Sequence, residues 1–282
     1  MNTGETIPRP TIKAKSLVGG GEWLRMVIAD LHLHTTRSDG TLTLETLPDA
    51  ARRAGVEAVA VTDHDRINPE LDGPMTTRDG VEVVHGIELR VETDDQRLDL
   101  LGYGVDPTDE LIDECDRIQQ NRLERGRRII DCVEDRLDVS LPVEPREGLG
   151  RPHIARAIDE ASDYGYKEAF EELIGDGCPC FVAREVPSFE RGRELLADAC
   201  GLVGLAHPFR YPDTEAALAR CESLSAVERW YPYEESVDTD LLEDAVERYD
   251  LVPTGGSDTH DETLGETGLD QAAWERVRAE IV

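Results

Sequence analysis

The sequence predicts an α/β fold, a distorted seven-stranded (β/α) barrel with a helical insertion. Short apolar runs alternate with amphipathic helical segments and short loops, the pattern of parallel βα units. Seven candidate strands suit a distorted barrel better than an open sheet. Residues fit for metal binding gather just beyond the ends of those strands, the edge where α/β proteins build active sites.

Met26-Val27-Ile28 reads as a buried strand and leads into Ala29-Asp30-Leu31-His32-Leu33-His34. Alternate residues of a strand share a face, so His32 and His34 present two imidazoles side by side. Asp39 follows a Thr/Ser/Gly-rich turn that can fold it back toward them. Residues 43–54 read as a helix, capped by Thr43 and closed by Gly55. Residues 56–61 form a strand ending in Thr62-Asp63-His64-Asp65. Residues 81–87 form the next strand, with Glu88 just past it, and 97–103 another. Residues 108 to about 137 are one long helical stretch, with shorter helices near 152–159 and 166–174. Residues 108–184 are therefore expected to be a helical insertion over one mouth of the main domain. Alternation then resumes: helix 190–199, strand 202–206, helix 215–221, strand 226–230, helix 237–249, strand 251–254 and a last helix 269–281. Residues 1–25 read as a flexible arm before a domain of 26–282, with Met26 as an alternative start.

Composition limits the classes of function. Asp and Glu number 61, the net charge is −31, and Lys13, Lys15 and Lys167 are the only lysines. Acids spread evenly, with lysine scarce, point to adaptation to molar salt, where screening removes most self-repulsion. Such a charge argues against wrapping extended duplex nucleic acid. It leaves room for a short nucleotide held by a few arginines and metals. No apolar run approaches a membrane span and no leader-like segment opens the chain, so a cytoplasmic protein is expected. Cys115, Cys132, Cys178, Cys180, Cys200 and Cys221 are expected to be reduced and mostly buried, with Cys178 and Cys180 in a local turn.

The chain has seven histidines. His32, His34, His64, His207 and His260 fall at strand ends, joined there by Glu88 and Asp258. His153 opens a helix of the insertion, and His85, inside a strand, reads as structural. Imidazoles mixed with carboxylates suit Zn, Mn or Fe, and so many donors suggest two or three ions. Asp63 or Asp65 is either a carboxylate that orients His64 or a turn residue. The chain lacks both a Gly-x-Ser-x-Gly elbow and a phosphate-binding Gly-x-x-x-x-Gly-Lys-Ser/Thr loop.

Asp30-Leu31-His32-Leu33-His34-Thr35, Ser38-Asp39-Gly40-Thr41, Val61-Thr62-Asp63-His64-Asp65, Gly86-Ile87-Glu88, Ala206-His207-Pro208 and Gly256-Ser257-Asp258-Thr259-His260 resemble, in content and order, the PHP family, named for polymerase and histidinol phosphatase. Arg151-Pro152-His153-Ile154-Ala155-Arg156-Ala157 is similar to the branch of 3′,5′-nucleoside-bisphosphate phosphatases and 5′-to-3′ RNA-trimming exonucleases. The resemblance implies a PHP-like barrel with up to three metals. One ion would be held by His32, His34, Glu88 and Asp258, a second shared by Glu88 and His207, and a third held by Asp39, His64 and His260. The family places a histidine where this chain has Asp99, an oxygen donor that would favour Mn or Fe over Zn.

The expected activity is hydrolysis of a phosphate ester by a metal-activated water. The substrate would be a small phosphorylated molecule, a 3′,5′-nucleoside bisphosphate or the 5′ end of a short RNA. His153 and Asp258 are the candidate catalytic groups. Arg37, Arg151, His153, Arg184 and Arg210 are candidate substrate contacts, since guanidinium grips phosphate bidentately. The alternatives are a histidinol-phosphate or general sugar-phosphate phosphatase and a non-catalytic, metal-stabilised PHP interaction domain.

Overall fold

Ala29–Leu33 forms β1, and all five of its residues are buried, as befits an apolar run covered on both faces. The computed structural model describes residues 26–281, so the expected arm at 1–25 lies outside them. Ala58–Val61 (β2), Val81–Glu92 (β4), Arg97–Val105 (β5), Cys200–Leu205 (β6), Ala226–Trp230 (β7) and Val252–Gly255 (β8) follow. The sheet order is β1-β2-β4-β5-β6-β7-β8, with Met75–Arg78 (β3) paired to the outside of that path on β4. The barrel nearly closes where β1 meets the loop after β8: the His34 N–H donates to the Thr259 carbonyl at 2.9 Å.

The expected parallel βα pattern holds at both ends of this order and fails in the middle. The pairs β1–β2, β2–β4, β6–β7 and β7–β8 are parallel. The pairs β4–β5 and β5–β6 are antiparallel. The cause is local. A tight turn at Thr93–Gln96, closed by the Thr93 N–H on the Gln96 carbonyl at 2.9 Å, joins β4 to β5, and only antiparallel neighbours accept so short a connection. β4 consequently runs on through Glu88 to Glu92 instead of ending at residue 87. The short β3, half exposed and without an apolar run, carries no strand signal in the sequence.

Leu47–Ala54 is α1, closed by Gly55 at φ 76°; its first turn starts later than expected, and the Thr46 side chain makes no capping bond. Asp109–Leu137 (α2) is capped by the Thr108 hydroxyl, which accepts from the Leu111 N–H at 3.2 Å. Leu111, Cys115 and Ile118 near its start pack with β4–β6 and Phe189–Ala199 (α5). Its far half turns away. Ile129, Ile130 and Val133 share a separate core with Arg151–Ala161 (α3) and the segment in which Tyr166–Glu168 (α4) continues as a π-helical turn, Ala169–Ile174. Thr214–Ala219 (α6) and Thr239–Tyr249 (α7) cover the β6–β8 side. Gln271–Ile281 (α8) sets Trp274 and Val277 against Leu31, Ala60, Leu101 and Ala226. No helix among the described residues is long and apolar enough to cross a membrane.

Cys132 and Cys180 form a disulfide, contrary to the expectation of reduced thiols. It joins α2 to the segment after the π-helical turn across a sequence separation of 48. Spacing alone gives no sign of such a pair, because helix packing within the insertion brings it together. Cys115, Cys200 and Cys221 are free, and burial pushes each thiol up to about 12.

His85 is a buried residue of β4, and burial pushes its imidazole down to about 4 from 6.5. The folded value lies below the unfolded one, so protonation favours the unfolded chain. The stability this group contributes is complete above pH 6.5 and is lost as pH falls toward 4, by at most about 3 kcal/mol. Urea unfolding of His85→Gln is expected to show a shallower loss of midpoint than the parent between those pH values; parallel curves would disprove the assignment.

Candidate metal centre

Strand ends deliver most of the cluster. His32 lies on β1 and His34 just past it, with ring centroids 5.3 Å apart. His64 follows β2, His207 follows β6, and Asp258 and His260 follow β8. Glu88 and Asp99 come from within the β4–β5 hairpin. Two buried carboxylates fix the loops. Asp63 accepts the Thr35 N–H at 2.8 Å and the Thr35 and Ser38 hydroxyls at 2.7 Å, shaping the turn that carries Asp39. Asp30 accepts the Ser257 N–H at 2.9 Å, its hydroxyl at 2.6 Å and the Gly265 N–H at 2.9 Å, tying the β8 loop to β1. A Cβ on Gly256 would lie 2.2 Å from the His32 nitrogen, so the loop passes only as glycine.

Glu88 is central. One oxygen stands 2.6 Å from His64 Nδ1 and 3.4 Å from His34 Nε2. The other stands 3.0 Å from His207 Nε2 and 3.5 Å from His32 Nε2. Asp258 Oδ1 lies 3.0 Å from His34 Nε2 and 3.4 Å from His32 Nε2. His260 Nε2 is 3.4 Å from Asp39. Three groups of donor atoms result, each within 4.8 Å: His34, Asp39, His64 and His260; His32, His34 and Glu88; and Glu88, Asp99 and His207.

The electrostatics follow from this crowding. Burial opposes charge on Glu88, but His64, His32 and His207 outweigh it and hold the carboxyl well below its usual range. Burial likewise opposes ionisation of Asp258 and Asp39, and the neighbouring histidines hold both low. His32 is raised despite burial by Glu228, Asp258 and Glu88. His34 is lowered by burial and by His64. His32 Nε2, Asp39 Oδ1 and Glu88 Oε2 are buried without a hydrogen bond. Polar atoms so placed are costly unless something binds them. Imidazole and carboxylate donors in this number fit divalent Zn, Mn or Fe.

Sequence reading missed the supporting residues. Glu228, fully buried on β7, sets Oε1 3.0 Å from His32 Nδ1 and accepts the His207 N–H at 2.7 Å on Oε2. A carboxylate on the far nitrogen fixes the ring of a ligating histidine. An acid inside the apolar run 226–230 was the available signal. Neither Asp63 nor Asp65 orients His64. Asp65, buried at φ 50°, instead takes the Arg122 guanidinium at 2.8 Å, the Arg184 guanidinium and the Arg90 N–H at 2.9 Å. Burial pushes Arg122 and Arg184 down to about 10.

A cleft of ≈ 700 Å³ opens over the cluster, with Arg90, Arg97, Arg151, Arg210 and Phe181 among its lining residues. Two of the expected substrate contacts, Arg151 and Arg210, are thus at the site. Arg210 reaches Asp258 Oδ2 at 3.0 Å, which also accepts the Tyr231 hydroxyl at 2.9 Å. Arg151 pairs with Asp176 at 2.7 Å and lies 5.7 Å over the Phe181 ring. The others stand elsewhere. Arg184 is committed to Asp65, and Arg37 lines a separate cavity of ≈ 380 Å³ with Arg66 and His85. His153 is not a lining residue: it sits in the first turn of α3, where its Nδ1 accepts the Gly150 N–H at 3.1 Å.

The PHP domain family matches residues 30–131. The 3′,5′-nucleoside bisphosphate phosphatase of Chromobacterium violaceum is 27% identical over 198 residues, 66% of this chain and 68% of its own length. The phosphoribosyl 1,2-cyclic phosphate 1,2-diphosphodiesterase of Eggerthella lenta is 28% identical over 83% of this chain and 94% of its own. The 5′-3′ exoribonuclease Rnm of Escherichia coli is 27% identical over 66% and 67%. A solved structure from Bifidobacterium adolescentis superposes with a TM-score of 0.72 at 24% identity, over 90% of this chain and 96% of that one, and shows the same fold. Barrel, donor cluster and relatives define a metal-dependent phosphoesterase. The chain resembles the PHP family over that part of the barrel, residues 30–131.

Proposed function

We propose that the chain hydrolyses a phosphate ester of a small nucleotide, with divalent ions held by His32, His34, Asp39, His64, Glu88, Asp258 and His260. The observation that carries this reading is the set of buried donor atoms, His32 Nε2, Asp39 Oδ1 and Glu88 Oε2, left without hydrogen bonds among the clustered histidines and carboxylates. Bound there, the ions supply a water of lowered pKa and a clamp for phosphoryl oxygens. The protein's own part is positioning. Glu228 keeps His32 and the His207 backbone in place, and Arg210 and Tyr231 hold Asp258 with Oδ1 toward the histidines. Arg210 and Arg151 bring guanidinium groups to the cleft for phosphate. Phe181 beside Arg151 offers an aromatic face for a base.

The nucleotide preference draws on the 151–157 motif and on the bisphosphate phosphatase and exoribonuclease relatives. A second reading, a cyclic ribose phosphate, draws on the Eggerthella lenta enzyme, whose similarity spans more of both chains. Hydrolysis in molar salt with Mn tests them on four substrates: a 3′,5′-nucleoside bisphosphate, read as released phosphate; a short 5′-phosphorylated RNA, read as released mononucleotide; a ribose 1,2-cyclic phosphate, read as ring opening to the monoester; and histidinol phosphate, read as released phosphate. Faster turnover of either of the first two is expected. Turnover of histidinol phosphate alone overturns the nucleotide reading, and none at all overturns the enzyme reading.

A further inference from the structure

The three donor groups are not equivalent. In two of them a buried donor atom found in no other group is left without a hydrogen bond, Asp39 Oδ1 in one and His32 Nε2 in the other. The third group depends on Asp99, which has no free oxygen. Asp99 stands directly across the β4–β5 ladder from Arg90. The Arg90 guanidinium clasps both oxygens, Nη2 to Oδ2 at 2.8 Å and Nε to Oδ1 closer still. The pair is braced on each side. The Asp99 N–H donates to the Tyr211 hydroxyl at 2.9 Å, and the Arg90 N–H donates to Asp65 at 2.9 Å. His207 Nε2 lies 3.7 Å from the same Asp99 oxygen and 3.0 Å from Glu88. A cation added here would sit against a guanidinium, like charge on like charge, and would share its carboxylate.

Arg90 is also well placed to do an ion's work. Its side chain is 36% exposed and it lines the cleft beside His207 and Glu88. Asp99 occupies one edge of the planar fork, leaving its other N–H groups for phosphoryl oxygens.

We propose that the Arg90–Asp99 pair stands in for an ion at the third group: the centre binds two divalent ions, and Arg90 supplies the positive charge beside His207 that holds the substrate's phosphate. This rests on the phosphoesterase reading above. The test is metal content of the full chain by elemental analysis, after equilibrium dialysis against Mn in molar salt, combined with steady-state kinetics on the best substrate. Two ions per chain are expected, and still two in Asp99→Asn, whose similar shape spares the hairpin. Arg90→Ala is expected to raise KM at least tenfold with a smaller change in kcat, and Arg90→Lys to recover part of it. Three ions in the parent falling to two in Asp99→Asn, or an unchanged KM in Arg90→Ala, would overturn the inference while leaving the phosphoesterase reading intact. A chain that binds no ion overturns both.

Discussion

Glu88→Gln is expected to lower kcat/KM for phosphate-ester hydrolysis by about a thousandfold, since losing an ion's transition-state stabilisation costs several kcal/mol and each 1.36 kcal/mol is tenfold. No other side chain is central in the same way. Its two oxygens face His64, His207, His34 and His32 at 2.6, 3.0, 3.4 and 3.5 Å. An amide of the same shape leaves one oxygen, a poorer ligand, and turns N–H donors toward imidazole nitrogens that a metal needs as lone pairs. Bound metal should fall with activity, and far-UV circular dichroism should stay unchanged. A variant that keeps more than a tenth of parental activity would remove Glu88 from the centre.

The second large effect is on stability. Removing the ions with a chelator is expected to lower the melting temperature by about 10 °C or more, and Mn should restore it. Without ions the native state gathers Glu88, Asp258 and Asp39, all held ionised, around five imidazoles that also repel one another when protonated. Ions that bind only the folded chain stabilise it by about 2.7 kcal/mol per site at a hundred times Kd. A domain of this size shifts by roughly 2–4 °C per kcal/mol. Scanning calorimetry before and after dialysis against chelator measures the change, and identical melting curves would mean that the cluster holds no metal.

What the sequence revealed, and what it hid, has a physical pattern. Residues following parallel strands were legible because each apolar strand announces its own end: His34, His64, His207, Asp258 and His260 all lie where periodicity placed them. Features set by antiparallel pairing were not. Glu88 was read as lying past a strand that in fact continues to Glu92, and Arg90 was overlooked because its partner Asp99 arrives only when the hairpin folds. Asp65 looked like a loop residue and is an anchor for two arginines that are distant in sequence. Arg184 was singled out as a phosphate contact, yet its charge is spent on Asp65. The Cys132–Cys180 bond depends on packing inside the insertion, which no spacing rule reports.

Three non-glycine residues around the cleft, Asp65, His207 and Asp258, hold φ at 50°, 27° and 51°, a region that side chains rarely enter. Each such residue costs on the order of 1–3 kcal/mol that the surrounding structure must supply. Glycine would relax the backbone at any of these positions, but it would also delete the imidazole or carboxylate that the site requires. Selection for heat or salt tolerance therefore cannot relieve the tension where it arises. It has to reinforce the scaffold elsewhere.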